Sequence, residues 1–145
     1  MPAVSSAYVD TSVLGAYYCP EPLSPAAESA LQRLNSPVIS TLTEVEFASL
    51  IARKCRMREL TPGQSRAVLD LFSSQVREGL FHRLLLGPEH FRHARDLVAA
   101  TTASLRTLDA LHLAAAIREN LPLITSDRDF ARAARRHRAA TVLLA

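Results

Sequence analysis

Ala7-Tyr8-Val9-Asp10-Thr11-Ser12 is the stretch from which the architecture is read. Its three apolar residues, one aromatic and one β-branched, suit a short buried strand. Asp10 ends that run. Thr11-Ser12 opens a helix through Tyr18, which Cys19-Pro20-Glu21-Pro22 breaks. A strand, an acid at its carboxyl end and a helix starting at once make one βα unit. The same order recurs near the C-terminus. Leu123-Ile124-Thr125 suits a strand, Ser126 and Asp127 follow, and a helix runs from Asp127 to about Arg136.

The segments between these two units alternate in the same way. Ser24 is placed to cap a helix with Pro25 at its first position, running to about Leu34. Asn35-Ser36-Pro37 reads as a turn and Val38-Ile39-Ser40 as a strand. A helix spans about Thr43 to Arg56. Thr61-Pro62 caps another, through about Val76, which Glu78-Gly79 ends. Phe81 to Leu86 suits a strand closed by Gly87-Pro88, and Pro88 to Ala100 is helical. Thr107 caps a helix of alanine and leucine to about Glu119. Asn120-Leu121-Pro122 turns the chain, and Thr141 to Leu144 is a last strand. Short apolar strands between amphipathic helices imply an α/β fold, with a short, mostly parallel sheet flanked by helices. Such sheets bind ligands at the carboxyl ends of their strands, near a reversal of strand order. Asp10 and Asp127, far apart in sequence, are therefore expected at one rim.

At 145 residues the chain fits a single domain, 1–145, and 48% apolar content makes it globular. No apolar run approaches the roughly 20 residues of a membrane helix. Met1 to Ser6 carries neither a basic segment nor a hydrophobic stretch of signal length, so a cytoplasmic location is expected. Cys19 and Cys55 have neither metal-site spacing nor a disulfide pattern, and packing is their expected role. The net charge of +3 is a mild excess. Its distribution says more: Arg128, Arg132, Arg135, Arg136 and Arg138 crowd one segment, and arginine's donor fork suits phosphate. A solvated helix face is the plain alternative.

Several acids stand in core-like surroundings, where an unpartnered carboxylate is costly. Asp10 ends an apolar strand. Glu44 and Glu46 lie in Leu42-Thr43-Glu44-Val45-Glu46-Phe47. That helix is apolar nearly all round, so periodicity leaves the choice between the two glutamates open. Asp109 shares a helix face with Leu105, His112, Leu113 and Ala116 by spacings of three, four and seven. It is also in the first turn, where a plain dipole-stabilising role is the alternative. Asp127 and Asp129 flank Arg128; either could cap the last helix, and nearness to the strand end favours Asp127. Like charges at close range need neutralising, and Mg²⁺ or Mn²⁺ does so through oxygen ligands. Four acids could hold one such ion, or two about 4 Å apart, for phosphodiester hydrolysis. His112 could serve as a general base but is more simply a packed core residue. Thr11 and Ser12 could bind phosphate, cap their helix, or both.

Competing chemistries lack their motifs. Gly15, Gly63, Gly79 and Gly87 are scattered, so no phosphate-binding glycine loop exists. Asp10-Thr11-Ser12 lacks the second aspartate of an aspartyl-phosphate hydrolase. The only lysine, Lys54, lies deep in a helix, unlike the strand-end lysine of a receiver domain.

Four blocks together resemble the signature of PIN-domain ribonucleases. They are Tyr8-Val9-Asp10-Thr11-Ser12, Ser40-Thr41-Leu42-Thr43-Glu44-Val45-Glu46-Phe47, Leu108-Asp109-Ala110-Leu111-His112-Leu113-Ala114 and Leu123-Ile124-Thr125-Ser126-Asp127-Arg128-Asp129-Phe130. In order, spacing and total length the chain is similar to the VapC-type toxins of toxin–antitoxin pairs. The resemblance implies a PIN-like α/β/α sandwich. It selects Glu46 over Glu44 and Asp127 over Asp129, making Asp10, Glu46, Asp109 and Asp127 the expected catalytic, metal-holding set. It implies Mg²⁺- or Mn²⁺-dependent cleavage of RNA, a homodimer, and a small cognate antitoxin that blocks the acidic groove. Two other functions remain: a PIN-type RNA-processing nuclease without an antitoxin, and a non-catalytic module binding RNA or protein through its arginine-rich helix.

Overall fold

The computed structural model describes residues 6–100 and 104–145, so the reading of the first five residues lies outside the described chain. Five strands form one sheet in the order β3-β2-β1-β4-β5, every pairing parallel. They are β1 (Ser6–Val9), β2 (Ser36–Ser40), β3 (His82–Leu84), β4 (Leu123–Thr125) and β5 (Thr141–Leu143). Between them run α1 (Thr11–Tyr18), α2 (Ser24–Gln32), α3 (Thr41–Arg56), α4 (Pro62–Arg77), α5 (Pro88–Ala99), α6 (Thr107–Arg118) and α7 (Arg128–Arg136).

Strand alternation sorts the core into two halves. Ala7, Val9, Ile39 and Ile124 belong to a cluster with Val13 and Leu14 of α1, Ala27 of α2, Phe47 and Ile51 of α3 and Phe72 of α4. Tyr8, Val38 and Leu123 belong to the other, with Ala94, Leu97, Leu113, Phe130 and the alanines of α6. Neighbouring strand residues point to opposite faces, so helices must cover both, giving an α/β/α sandwich. The strand order reverses between β1 and β4. Asp10 follows the first of these strands directly, and Asp127 stands two residues past the second.

Several boundaries differ from the sequence reading for local reasons. Ser36 and Pro37, read as a turn, begin β2. β3 reaches only Val38 to Ser40, so at Pro37 the strand has a neighbour on one side alone, where a missing N–H is tolerated. Ser24 does not cap α2, whose capping residue is Leu23. Its hydroxyl instead accepts from the Glu21 N–H at 2.9 Å and donates to the Ala16 carbonyl at 2.6 Å, tying α2 to the end of α1. Thr107 is the first residue of α6 and Arg106 holds the capping position. The capping expected at Thr61 is present, with its hydroxyl accepting from the Gln64 N–H at 3.1 Å. Gly79, after α4, takes a φ of 83°, the left-handed region glycine enters freely.

Helices α1 and α3 approach closely at Gly15, where a Cβ would lie 2.7 Å from Leu50 Cδ2. This contact matters for function because α1 carries Thr11 and α3 carries Glu46.

Candidate active site

The sheet rim gathers all four acids selected by the resemblance, in two unlike pairs. Asp10 is 6% exposed. Its Oδ2 accepts from the Ser12 hydroxyl and from the Thr125 hydroxyl, each at 2.7 Å. Among the described residues no cationic side chain lies within 4.0 Å of it, the ion-pair distance. Two hydroxyls therefore carry a buried carboxylate, a weak compensation for its lost hydration.

Glu46 sits beside it. A Glu46 carboxylate oxygen, one from Asp10 and a ring nitrogen of His112 all lie within 4.8 Å of one another. Glu46 Oε1 accepts from the Thr11 hydroxyl at 2.8 Å and is paired with His112 Nε2. His112 is fully buried, and its Nδ1 lies 2.6 Å from the Tyr8 hydroxyl, which lies 2.8 Å from Ser40 Oγ. Burial pushes the Tyr8 phenol well above its ordinary range, so it keeps its proton. The tautomer that satisfies every partner has His112 protonated at Nε2 and donating to Glu46. Nδ1 then accepts from Tyr8, whose oxygen accepts from Ser40. Burial alone would raise the Glu46 carboxyl. The hydrogen bonds from His112 and Thr11, with the Arg106 charge, outweigh it and hold Glu46 below the usual value. Glu44, the other candidate, turns away and pairs with Arg83.

Asp109 and Asp127 form the second pair, and one arginine joins them. The Arg106 guanidinium donates through Nη2 to Asp127 Oδ2 at 2.6 Å, and its Nη2 is 2.9 Å from Asp109 Oδ2. Asp127 Oδ1 accepts from the Phe130 N–H at 3.0 Å, capping α7. Burial raises the Asp109 carboxyl; Asp10 and Asp127 add to the rise, and Arg106 opposes it. Burial would raise Asp127 too, but the Phe130 N–H and Arg106 bring it below the ordinary value. Asp129 pairs with Arg132 in solvent.

Glu46 and Asp109 respond oppositely to pH. A lowered folded pKa makes the Glu46 charge stabilising above its unfolded pKa of about 4.3, a benefit lost as pH falls through the folded value. A raised folded pKa makes the Asp109 charge a penalty at neutral pH, one that vanishes as pH falls through the folded value toward the unfolded one. In EDTA, Glu46→Gln is thus expected to lower the urea midpoint at about pH 7, and Asp109→Asn to raise it. Both differences should shrink by about pH 3. Midpoints that move in the same direction would contradict this electrostatic assignment.

The donor set suits a hard divalent cation. Asp10 Oδ1, Glu46 Oε2 and Asp109 Oδ1 accept no hydrogen bond among the described residues, leaving oxygens for an ion. The burial of Asp10, and the burial and carboxylate repulsion that raise Asp109, are what such an ion would relieve. His112 Nε2 is engaged with Glu46, which makes it an orienting group for that carboxylate.

Sequence reasoning passed over three contributors. Thr125 both holds Asp10 and accepts from the Asp127 N–H at 3.0 Å, linking the halves. Tyr8 looked like plain core. Arg106 carried a usable signal, an arginine three residues before Asp109, where the two share the mouth of one helix.

A parallel sheet with an acidic cleft at its strand-order reversal defines an α/β protein of the PIN type. The model of the PIN domain matches residues 7–136, and the chain belongs to that family. Similar solved structures include VapC20 of Mycobacterium tuberculosis, a sarcin-ricin loop cleaving toxin. Its TM-score is 0.70 at 16% identity, covering 89% of this chain and 95% of that one. FitAcB from Neisseria gonorrhoeae gives 0.66 at 20%, covering 93% and 95%. VapBC-5 of M. tuberculosis, of the VapBC toxin–antitoxin family, gives 0.61 at 20%, covering 97% and 98%. At these identities the likeness is one of fold. No curated protein matches the chain.

Proposed function

We propose that this protein, as a single PIN domain over 1–145, is a metal-dependent endoribonuclease and the toxin of a toxin–antitoxin module. The convergence of Asp10, Glu46, Asp109 and Asp127 on one rim carries the reading. The toxin role draws support from the likeness to VapC20, FitAcB and VapBC-5. Asp10, Asp109 and Glu46 would hold Mg²⁺ or Mn²⁺ through their unengaged oxygens, with Asp127 contributing Oδ2 once Arg106 releases it. Such an ion, when bound, supplies Lewis acidity and positive charge at the phosphodiester. The chain's own groups do the rest. Thr125 and Ser12 hold the Asp10 carboxylate in place. His112 and Thr11 fix Glu46 through Oε1, so that Oε2 stays available to the ion.

The basic face of α7 is suited to the strand beside the cut. Arg128, Arg132, Arg135 and Arg136 line a shallow groove with Leu143, and it begins next to Asp127. Spacings of four and three place Arg128, Arg132 and Arg135 on one face, which makes a row of phosphate contacts. Replacing Arg132 and Arg135 by glutamine is expected to raise KM for RNA by about tenfold and leave kcat within about twofold. The slope of log affinity against log salt should flatten by about one to two. An unchanged salt slope would leave the row a solvated face.

Among the described residues no helix is long and apolar enough to cross a membrane, and a cytoplasmic protein acting on RNA is consistent with that. A homodimer and a small antitoxin partner complete the reading. The test is RNA cleavage by purified protein with Mg²⁺, with Mn²⁺ and with EDTA, together with growth on induction. Metal-dependent cleavage plus arrest relieved by a neighbouring short reading frame is expected. Cleavage without arrest would favour an RNA-processing role, and no cleavage with any metal would end the nuclease reading.

A further inference from the structure

Half of the acidic site stands ready and half is latched. Asp10 and Glu46 are held by hydroxyls and an imidazole, none of which need move for an ion to reach Asp10 Oδ1 or Glu46 Oε2. Asp127 differs, because both of its oxygens are engaged. Oδ1 caps α7 and Oδ2 takes the Arg106 Nη2 donor. Asp109 keeps one free oxygen, its Oδ2 being held by the same guanidinium. Two carboxylates of the candidate metal set therefore share one internal cation. That cation is 69% exposed at the mouth of α6, free to swing into water once released.

We propose that Arg106 is the resident counter-ion of this cleft: it clamps Asp109 to Asp127 in the metal-free protein, is displaced when a divalent cation binds, and so sets the cation affinity of the site. The proposal rests on the metal-binding reading above. Its physical basis is competition for the same oxygens. A guanidinium bridges the two acids through charge-assisted hydrogen bonds, and an ion reaching Asp127 Oδ2 must first break one of them. The clamp holds the two acids side by side without metal, offsetting their repulsion, at the expense of weaker binding. It also leaves a freed guanidinium beside the cleft in the loaded state, where an RNA phosphate is its natural acceptor.

The experiment is calorimetric titration of the full chain with Mn²⁺ alone, for the wild type, Arg106→Gln and Arg106→Lys. Thermal melts of all three follow in EDTA and in saturating Mn²⁺. Arg106→Gln is expected to bind Mn²⁺ about tenfold more tightly. Its melting temperature should lie below wild type in EDTA and reach or pass it in Mn²⁺. Arg106→Lys keeps the charge without the fork, and an affinity between the other two supports the clamp. Wild-type affinity in Arg106→Lys, with tighter binding only in Arg106→Gln, would reduce the effect to nearby charge and overturn the clamp. Equal or weaker binding by Arg106→Gln overturns it as well, leaving the metal-binding reading intact. Absence of Mn²⁺ binding by all three proteins, wild type included, would sink both. Arg106 is exposed and extended at the capping position of α6, so neither substitution threatens folding, and the EDTA melts verify that directly.

Discussion

Asp10→Asn will abolish RNA cleavage, lowering the rate by at least about a hundredfold, while leaving the protein as stable as the wild type in EDTA or slightly more so. The two halves of this result have one cause. Asparagine keeps a carbonyl oxygen where Ser12 and Thr125 donate, so the local hydrogen bonding survives. It removes a charge that is 6% exposed and compensated only by hydroxyls. That charge meets an opposite charge close by only when a cation is bound. Mn²⁺ should then stabilise the wild type in a melt and shift Asp10→Asn by far less. A variant that cleaves like its parent would remove Asp10 from the reaction.

The second large effect lies one residue past Glu46. Phe47→Ala is expected to destabilise the protein by about 3–5 kcal/mol. Phe47 is fully buried. Its ring centre lies 4.5 Å from that of Phe72 and 5.4 Å from that of Tyr18, joining α3 to α4 and α1. Truncation opens a cavity at the centre of that aromatic cluster. Val45 is the contrast: 68% exposed on the same helix, its replacement by alanine should change stability by less than about 0.5 kcal/mol. Urea unfolding of both variants measures the difference. The helix held by Phe47 also carries Glu46, so Phe47→Ala should lose cleavage activity at temperatures where it is still mostly folded.

Much of the fold was legible because its signals are local. Asp10 after Val9 and Asp127 after Thr125 mark strand ends in the sequence itself, and β4 and α1 have the boundaries read there. Parallel pairing follows from strands separated by helices. What failed depended on neighbours absent from the local pattern. Pro37 looks like a turn until β3 proves too short to pair beside it. Ser24 looks like a cap until its hydroxyl finds Ala16 on the preceding helix.

The site divides in the same way. That acids end two strands and interrupt two apolar helices is written in the chain, because burying a carboxylate is expensive wherever the fold puts it. Periodicity could not choose between Glu44 and Glu46 on a helix apolar nearly all round. Only the tertiary structure turns Glu46 toward His112 and Thr11 and leaves Glu44 to Arg83. Only the tertiary structure lets Arg106 reach Asp127, twenty-one residues away, as well as its helical neighbour Asp109. The sequence by itself determined which residues carry charge and which elements carry them. Which charges meet was decided by the reversal of strand order between β1 and β4, which brings distant ends of the chain to one rim.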